Sequence, residues 1–413
     1  MLGGLSAVGV LASCGPKALP PGERALLLWE VEREGVVSHL LGTCHIPMPL
    51  SHAMPNPMRA DIFSTSRIVV GEIDMQKEDL DSTMALAFSS RSLRERIGAE
   101  PFRALSVRVR DTVPATALDR MSPWIASSLL MSANGRTDSP GSLPMDLAVM
   151  QAAQGANLPY LGLESLASQA ALLVAYEDDL VKELRSTSDP VRAAWSDQQD
   201  LLQACADTDP VAVARVVRSL PAELDAALLS ERNQRWMTRL GPEFAQGGVL
   251  LAVGAGHMLG RKGLVSLLQK SGYRVTPITA PMSTSSWAPR LPAAPPPLEP
   301  APSAERMDAW VSAIMPAVLS GSCGPRGVLE LCGLETPASC PERVRHDIGL
   351  CVEQHSDRLP ANAPSKLMNP DQAGAVLPCM MAGATAALLA MSESKVPDAC
   401  PYKSMMNAPP AKR

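Results

Sequence analysis

Two apolar runs, Val36–Leu41 and Val249–Val253, each lead directly into a Gly-x-x-His: Gly42-Thr43-Cys44-His45 and Gly254-Ala255-Gly256-His257. Runs this short, rich in Val and Leu and stopped by glycine, read as buried strands. The first is preceded by Leu26–Val31, with Glu34-Gly35 as the turn of a hairpin. After His45 comes a loop with Pro47, Pro49 and Pro55. Asn56-Pro57 then starts a helix that runs to about Ser66, and Ile68–Ile73 is the next strand. Strand, helix, strand in that order favours a parallel crossover. From about Asp81 to Gly247 the pattern is helical, punctuated by Pro114, Pro123, Pro190, Pro210 and Pro221, with one short strand at Tyr160–Leu163. A helix over Gly260–Ser271 and a strand over Tyr273–Ile278 close the pattern. The chain is therefore bound to an α/β fold: a central mixed sheet with a large helical insertion.

A length of 413 residues is too much for one compact core and predicts about two domains. We divide it into a signal and tether (1–22), an α/β domain (23–282), a Pro-rich extended linker (283–303) and a small helical, Cys-rich domain with a disordered tail (304–413). The linker is expected to let the two domains move independently. Aromatic residues are only 3% of the chain, so aliphatic side chains and 21 Met must fill the core. The net charge is −5 and no run of Lys or Arg appears, which excludes nucleic acid as a partner. Beyond the N-terminus no apolar stretch is long enough to span a bilayer.

Met1–Ala12 is small and apolar, and Leu11-Ala12-Ser13-Cys14 follows the pattern of a lipobox. The expectation is an exported protein, diacylated at Cys14 and anchored to a membrane on the periplasmic or cell-surface side. Cysteine usage agrees. Six of the nine Cys cluster at Cys323, Cys332, Cys340, Cys351, Cys379 and Cys400, with no C-x-x-C spacing among them. In an exported protein such a set reads as three disulfides rather than a zinc site. Cys44 and Cys205 are left to pair or to stay free.

The candidate chemistry lies at strand ends. His45, Glu72 and His257 each sit at or just past the C-terminal end of a predicted strand, the edge where open α/β sheets bind ligands. Gly42 and Gly254, three residues before each His, would allow a sharp chain reversal. Two imidazoles and a carboxylate suit a divalent metal with positions open for water. The same groups could work without metal, Glu72 orienting a His that acts as general base. His52 is a possible further ligand, although a solvated loop His is the simpler reading. His39 reads as structural, and His346 and His355 as surface groups. Cys44 is adjacent to His45 and points to the opposite face of an extended chain, so His45 cannot activate it directly.

The ordered set of motifs resembles the TraB/GumN family, which includes the Tiki-type proteases. The resemblance rests on LeuLeuTrpGluVal, LeuLeuGlyThrCysHis and ValValGlyGluIleAsp near the start, then Met145-Asp146-Leu147, LeuGlyLeuGluSer and Gln169. It continues with Glu231-Arg232-Asn233 and Trp236, and ends with ValGlyAlaGlyHisMetLeuGly from Val253, covering roughly 26–279. It implies a fold akin to erythromycin-esterase-like domains and metal-dependent peptide hydrolysis, with His45, His257 and Glu72 as metal-binding and catalytic groups. Arg232 and Asn233 match a family motif. Cys44 and the Cys-rich C-terminal region depart from the pattern. The function expected is a metal-dependent envelope hydrolase acting on a peptide or protein. Two alternatives stand: a non-catalytic module holding a peptide, metal or haem-like ligand, and a metal-free His/Glu esterase.

Overall fold

The computed structural model describes residues 19–46, 48–77, 80–134, 143–217, 222–282, 293–363, 376–389 and 396–402. Cys14 and the tail beyond residue 402 lie outside them. The six expected strands form one sheet: β1 (Glu23–Arg33), β2 (Val36–Thr43), β3 (Ile68–Ile73), β4 (Tyr160–Glu164), β5 (Val249–Gly254) and β6 (Arg274–Pro281). Their order is β4-β3-β5-β2-β1-β6. β1 and β2 form the hairpin, closed by Glu34 and Gly35 at φ 56° and 79°. Two consecutive positive φ angles match the right-handed twist of the flanking strands, which explains the tight two-residue turn.

β2, β5, β3 and β4 run parallel, while β1 pairs antiparallel with both β2 and β6. β5 is the central strand of the parallel set, and all six of its residues are buried. Its continuous apolar run is what a strand covered on both faces requires. Because β2, β5 and β3 are parallel neighbours, their C-terminal ends share one edge of the sheet. The expected crossover between β2 and β3 is present, with β5 inserted between them and the helix Met58–Thr65 in the connection.

Helices follow the sequence signals closely. The helix Pro190–Ala206 begins with Pro at its first turn, and the Asp189 side chain accepts the Arg192 N–H at 3.1 Å. That cap satisfies one of the free amides a helix start leaves. The expected helix over 260–271 is shorter, Leu264–Lys270, and a separate turn of helix covers Ala255–Met258.

The C-terminal region is helical, with helices Ala304–Ser322, Cys340–Gln354 and Val376–Leu389. Disulfides join Cys323 to Cys340, Cys332 to Cys400 and Cys351 to Cys379, so the six clustered Cys pair among themselves as expected. A fourth bridge joins Cys44 to Cys205. Four bridges are the usage of an oxidising, extracytoplasmic compartment. Among the described residues no helix is long and apolar enough to cross a membrane.

One expectation needs correction. The C-terminal helices do not stand apart from the α/β domain. Trp310, Ile314, Ile348 and Val376 share an apolar core with Phe102, Leu105, Leu118 and Ala126 of the helical insertion. Gln354, fully buried, donates to the Ser106 and Val113 carbonyls at 2.8 and 3.0 Å and accepts from the Ala115 N–H at 2.8 Å. The extended chain before these helices is held too. Arg192, Arg108 and Arg103 donate to the carbonyls of Pro295, Pro296 and Glu299 at 3.1, 2.6 and 2.6 Å. Proline removes the linker's own N–H donors, and its carbonyls are taken by arginines across the interface. Such packing opposes independent motion.

Candidate active site

The common edge of β2, β3 and β5 delivers the expected residues to one place. Thr43 pairs with Gly254 across the β2–β5 ladder, and Gly71 with Ala252 across β3–β5. His45 leaves just after β2, Glu72 lies within β3, and His257 follows β5. A β-carbon built on Gly254 would stand 3.1 Å from Glu72 Oε1, 3.4 Å from His45 Nε2 and 3.7 Å from His257 Cδ2. Gly254 has an ordinary φ of −46°, so glycine is needed there for space and not for a chain reversal. Gly42 is similarly tight, 3.1 Å from the Ala255 Cα by the same construction.

Each group is held by specific partners. Thr43 donates to Asp146 Oδ1, and His45 Nδ1 lies 2.8 Å from Asp146 Oδ2. Asp146 opens the helix Met145–Gly155. An ionised carboxylate can only accept, so Nδ1 carries the proton and Nε2 is left facing the site. The Asp146 charge and hydrogen bond raise the His45 pKa to about 9, against the opposing effect of burial. The His45 side chain is 70% exposed, so water screens this pair.

His257 is buried. Asn233 donates its Nδ2 to the His257 and Lys262 carbonyls at 3.1 and 3.0 Å. That fixes Asn233 Oδ1 as the acceptor, 2.7 Å from His257 Nδ1. Nε2 of His257 therefore accepts, and Arg232 Nη1 donates to it at 3.2 Å. Burial lowers the His257 pKa to about 3, so this ring is neutral at pH 7. The Trp236 ring packs on it with centroids 4.4 Å apart.

Arg232 is the hub. Its Nη2 donates to Glu72 Oε2 at 2.8 Å and its Nε to Glu164 Oε2 at 2.9 Å. The π-helical turn Ala226–Ser230 leads into the helix Glu231–Gln246, and Nη1 also bonds the Leu228 carbonyl of that turn at 2.9 Å. Glu72 also accepts from Gln169 Nε2 at 3.0 Å and, through Oε1, from the Gly254 N–H at 2.8 Å. Burial would raise the Glu72 carboxyl, but His257, His45, Arg232 and the Gly254 N–H outweigh it and hold it at about 2. Since His257 is neutral at pH 7, the cations keeping Glu72 ionised there are Arg232 and His45. A carboxyl held so low is a poor proton acceptor.

The donor types suit the expected divalent metal, but their bonding does not. Both Glu72 oxygens and Nε2 of His257 already accept N–H donors, and a guanidinium occupies the position of the cation. Among the described residues no set of three His, Cys, Asp or Glu side chains is arranged to hold a metal ion. To take a metal here, His257 Nε2 would have to release Arg232.

Of the other sequence candidates, Cys44 is in a disulfide and can be no nucleophile. His52 is neither a ligand nor solvated: it is buried, with Nε2 2.6 Å from the Ala206 carbonyl. His355 is buried rather than on the surface, and His346 pairs with Asp119 at 3.4 Å. His39 lies within β2, paired with Leu250 of β5, in keeping with a structural role. Sequence reasoning gave no role to Asp146, Gln169, Glu164 or Trp236. Glu164 could have been found, since it ends β4 as Glu72 lies near the end of β3. The site opens into a cavity of about 710 Å³ that also reaches Met150, Leu173 and Leu229.

His, Glu and Arg are gathered at the C-terminal edge of the parallel strands, the edge where open α/β sheets bind ligands. Residues 27–277 match the TraB/PrgY/gumN family, and the chain belongs to that family. No curated protein and no solved structure was found to match it.

Proposed function

We propose that this chain is a hydrolase of the cell envelope, tethered through Cys14, that cleaves a carbonyl-centred ester or amide bond, peptide bonds included. The observation that carries this reading is the Asp146–His45 pair, whose Nε2 opens into the cavity. In the reaction Nε2 takes a proton from water as the water oxygen bonds to the carbonyl carbon. The tetrahedral centre then collapses, the bond to the leaving oxygen or nitrogen breaks, and the proton passes from His45 to that atom. Water is added across the acyl bond and no oxidant or reductant is consumed. Asp146 and Thr43 are positioning residues for His45. Arg232, balanced by Glu72 and Glu164, positions Glu72 and His257. A fold of the erythromycin-esterase or Tiki type is part of the same proposal.

A metal-assisted form of this hydrolysis is the second reading, favoured by the approach of His45, Glu72 and His257 to one point beside Gly254. It requires Arg232 to leave His257 Nε2. The test is turnover of activated esters and peptides by the oxidised chain after exhaustive chelation. Retained turnover that His45→Ala lowers by roughly 10²–10⁴-fold supports the first reading. Loss on chelation with recovery on adding a divalent cation supports the second. No turnover in any condition overturns both and leaves a binding site.

A further inference from the structure

The cavity wall differs from its floor. Above the polar cluster it is built by Ile73, Leu147, Met150, Leu173, Leu228 and Leu229. None of these six is fully buried. Among the described residues, Ile73, Leu147, Met150, Leu228 and Leu229 belong to none of the packed apolar cores. Half-buried aliphatic groups facing a common space, with no protein partner for that face, are completed by an apolar occupant. The occupant's chemistry can be narrowed. A peptide segment would bring an N–H and a C=O at every residue, and each costs free energy when it is buried unbonded. Apart from the weakly accepting sulfur of Met150, these six side chains offer neither donor nor acceptor. Among the described residues the rings lining the cavity are Tyr160 and the imidazoles of His45 and His257, so none of the six wall residues selects a flat ring by stacking. The polar end is the cluster beside Gly254, where His45 Nε2 lies.

We propose that the cavity binds a flexible aliphatic acyl chain, its carbonyl at His45 and its methylenes along the Leu147–Met150 and Leu228–Leu229 walls. This deepens the hydrolase reading and rests on it for the chemistry: the substrate would be an acyl ester or amide, and the products a carboxylic acid and an alcohol or amine. Binding of the chain does not depend on turnover, so the two can fail separately.

The experiment is calorimetric titration of the full, oxidised chain with straight-chain carboxylic acids from hexanoate to tetradecanoate, each below its micelle concentration. Affinity should rise roughly three- to fourfold per methylene and then level off where the cavity is filled. Met150→Trp and Leu229→Trp lie on different elements, so one can report if the other fails to fold. Each should move the levelling-off to a shorter chain. Affinity independent of chain length overturns the proposal. So does a levelling-off point that neither folded variant shifts, or tighter binding of an apolar peptide of equal volume. Chain-length-dependent binding without any ester turnover would sustain this proposal and sink the hydrolase reading. Ester turnover that ignores chain length would do the reverse.

Discussion

At the scale of single residues, the two imidazoles are set to opposite tasks by their neighbours. His45 meets Asp146 and is held protonated further into the alkaline range, whereas His257 meets Asn233 and Arg232 and stays neutral. Turnover that needs the neutral His45 should rise with pH along its titration, above the ordinary imidazole value near 6.5 and toward about 9. Asp146→Asn removes the charge that shifts it, so the rise should move toward lower pH; a pH–rate profile unchanged by the substitution would speak against the pair. The sign for stability follows from the same shift. A group whose folded pKa is raised stabilises fully below its unfolded value near 6.5, and that contribution is lost as pH rises through about 9. Arg232 is a buried cation between two partly buried carboxylates. Arg232→Met leaves Glu72 and Glu164 without it and should lower stability by about 3–5 kcal/mol in denaturant unfolding. A loss under 1 kcal/mol would mean that water, not Arg232, solvates those carboxylates.

Elements show what a sequence can and cannot disclose. The strands were legible because short runs of Val, Leu and Ile between glycines allow little else, and β5 was clearest because both its faces are covered. His45, Glu72 and His257 were legible because strand ends are informative positions in such sheets. Asp146 was legible only as part of a family motif; its pairing with His45 was not, since it opens a helix 101 residues away in sequence. Arg232 entered only as part of a family motif, which does not say what it touches. The need for space at Gly254, rather than for a turn, depends on three side chains from three elements. The contact of the C-terminal helices with the insertion was hidden for a related reason. It runs through Gln354, a residue that ordinarily faces solvent. Gln354→Ala would leave the Ser106 and Val113 carbonyls and the Ala115 N–H unbonded. The expected loss is on the order of 3 kcal/mol, read as a lower midpoint in thermal or denaturant unfolding.

For the whole molecule, the shared core changes what cutting the linker should do. Protease cleavage within 283–303 is expected to yield two fragments that still elute together, because Trp310, Ile348 and Gln354 remain packed on the insertion. Fragments that separate without denaturant would show that the interface is weaker than its packing. The Cys44–Cys205 bridge has a consequence of another kind, one of timing. It ties the residue before His45 to the helix Pro190–Ala206, across 161 positions of chain. In a reducing cytosol that tie cannot persist. With the bridge reduced, the loop that carries His45 loses that tie. Under the proposed hydrolase reading the site would therefore be completed only by oxidation, and protein purified with this bridge reduced is expected to turn over acyl substrates more slowly than the oxidised form.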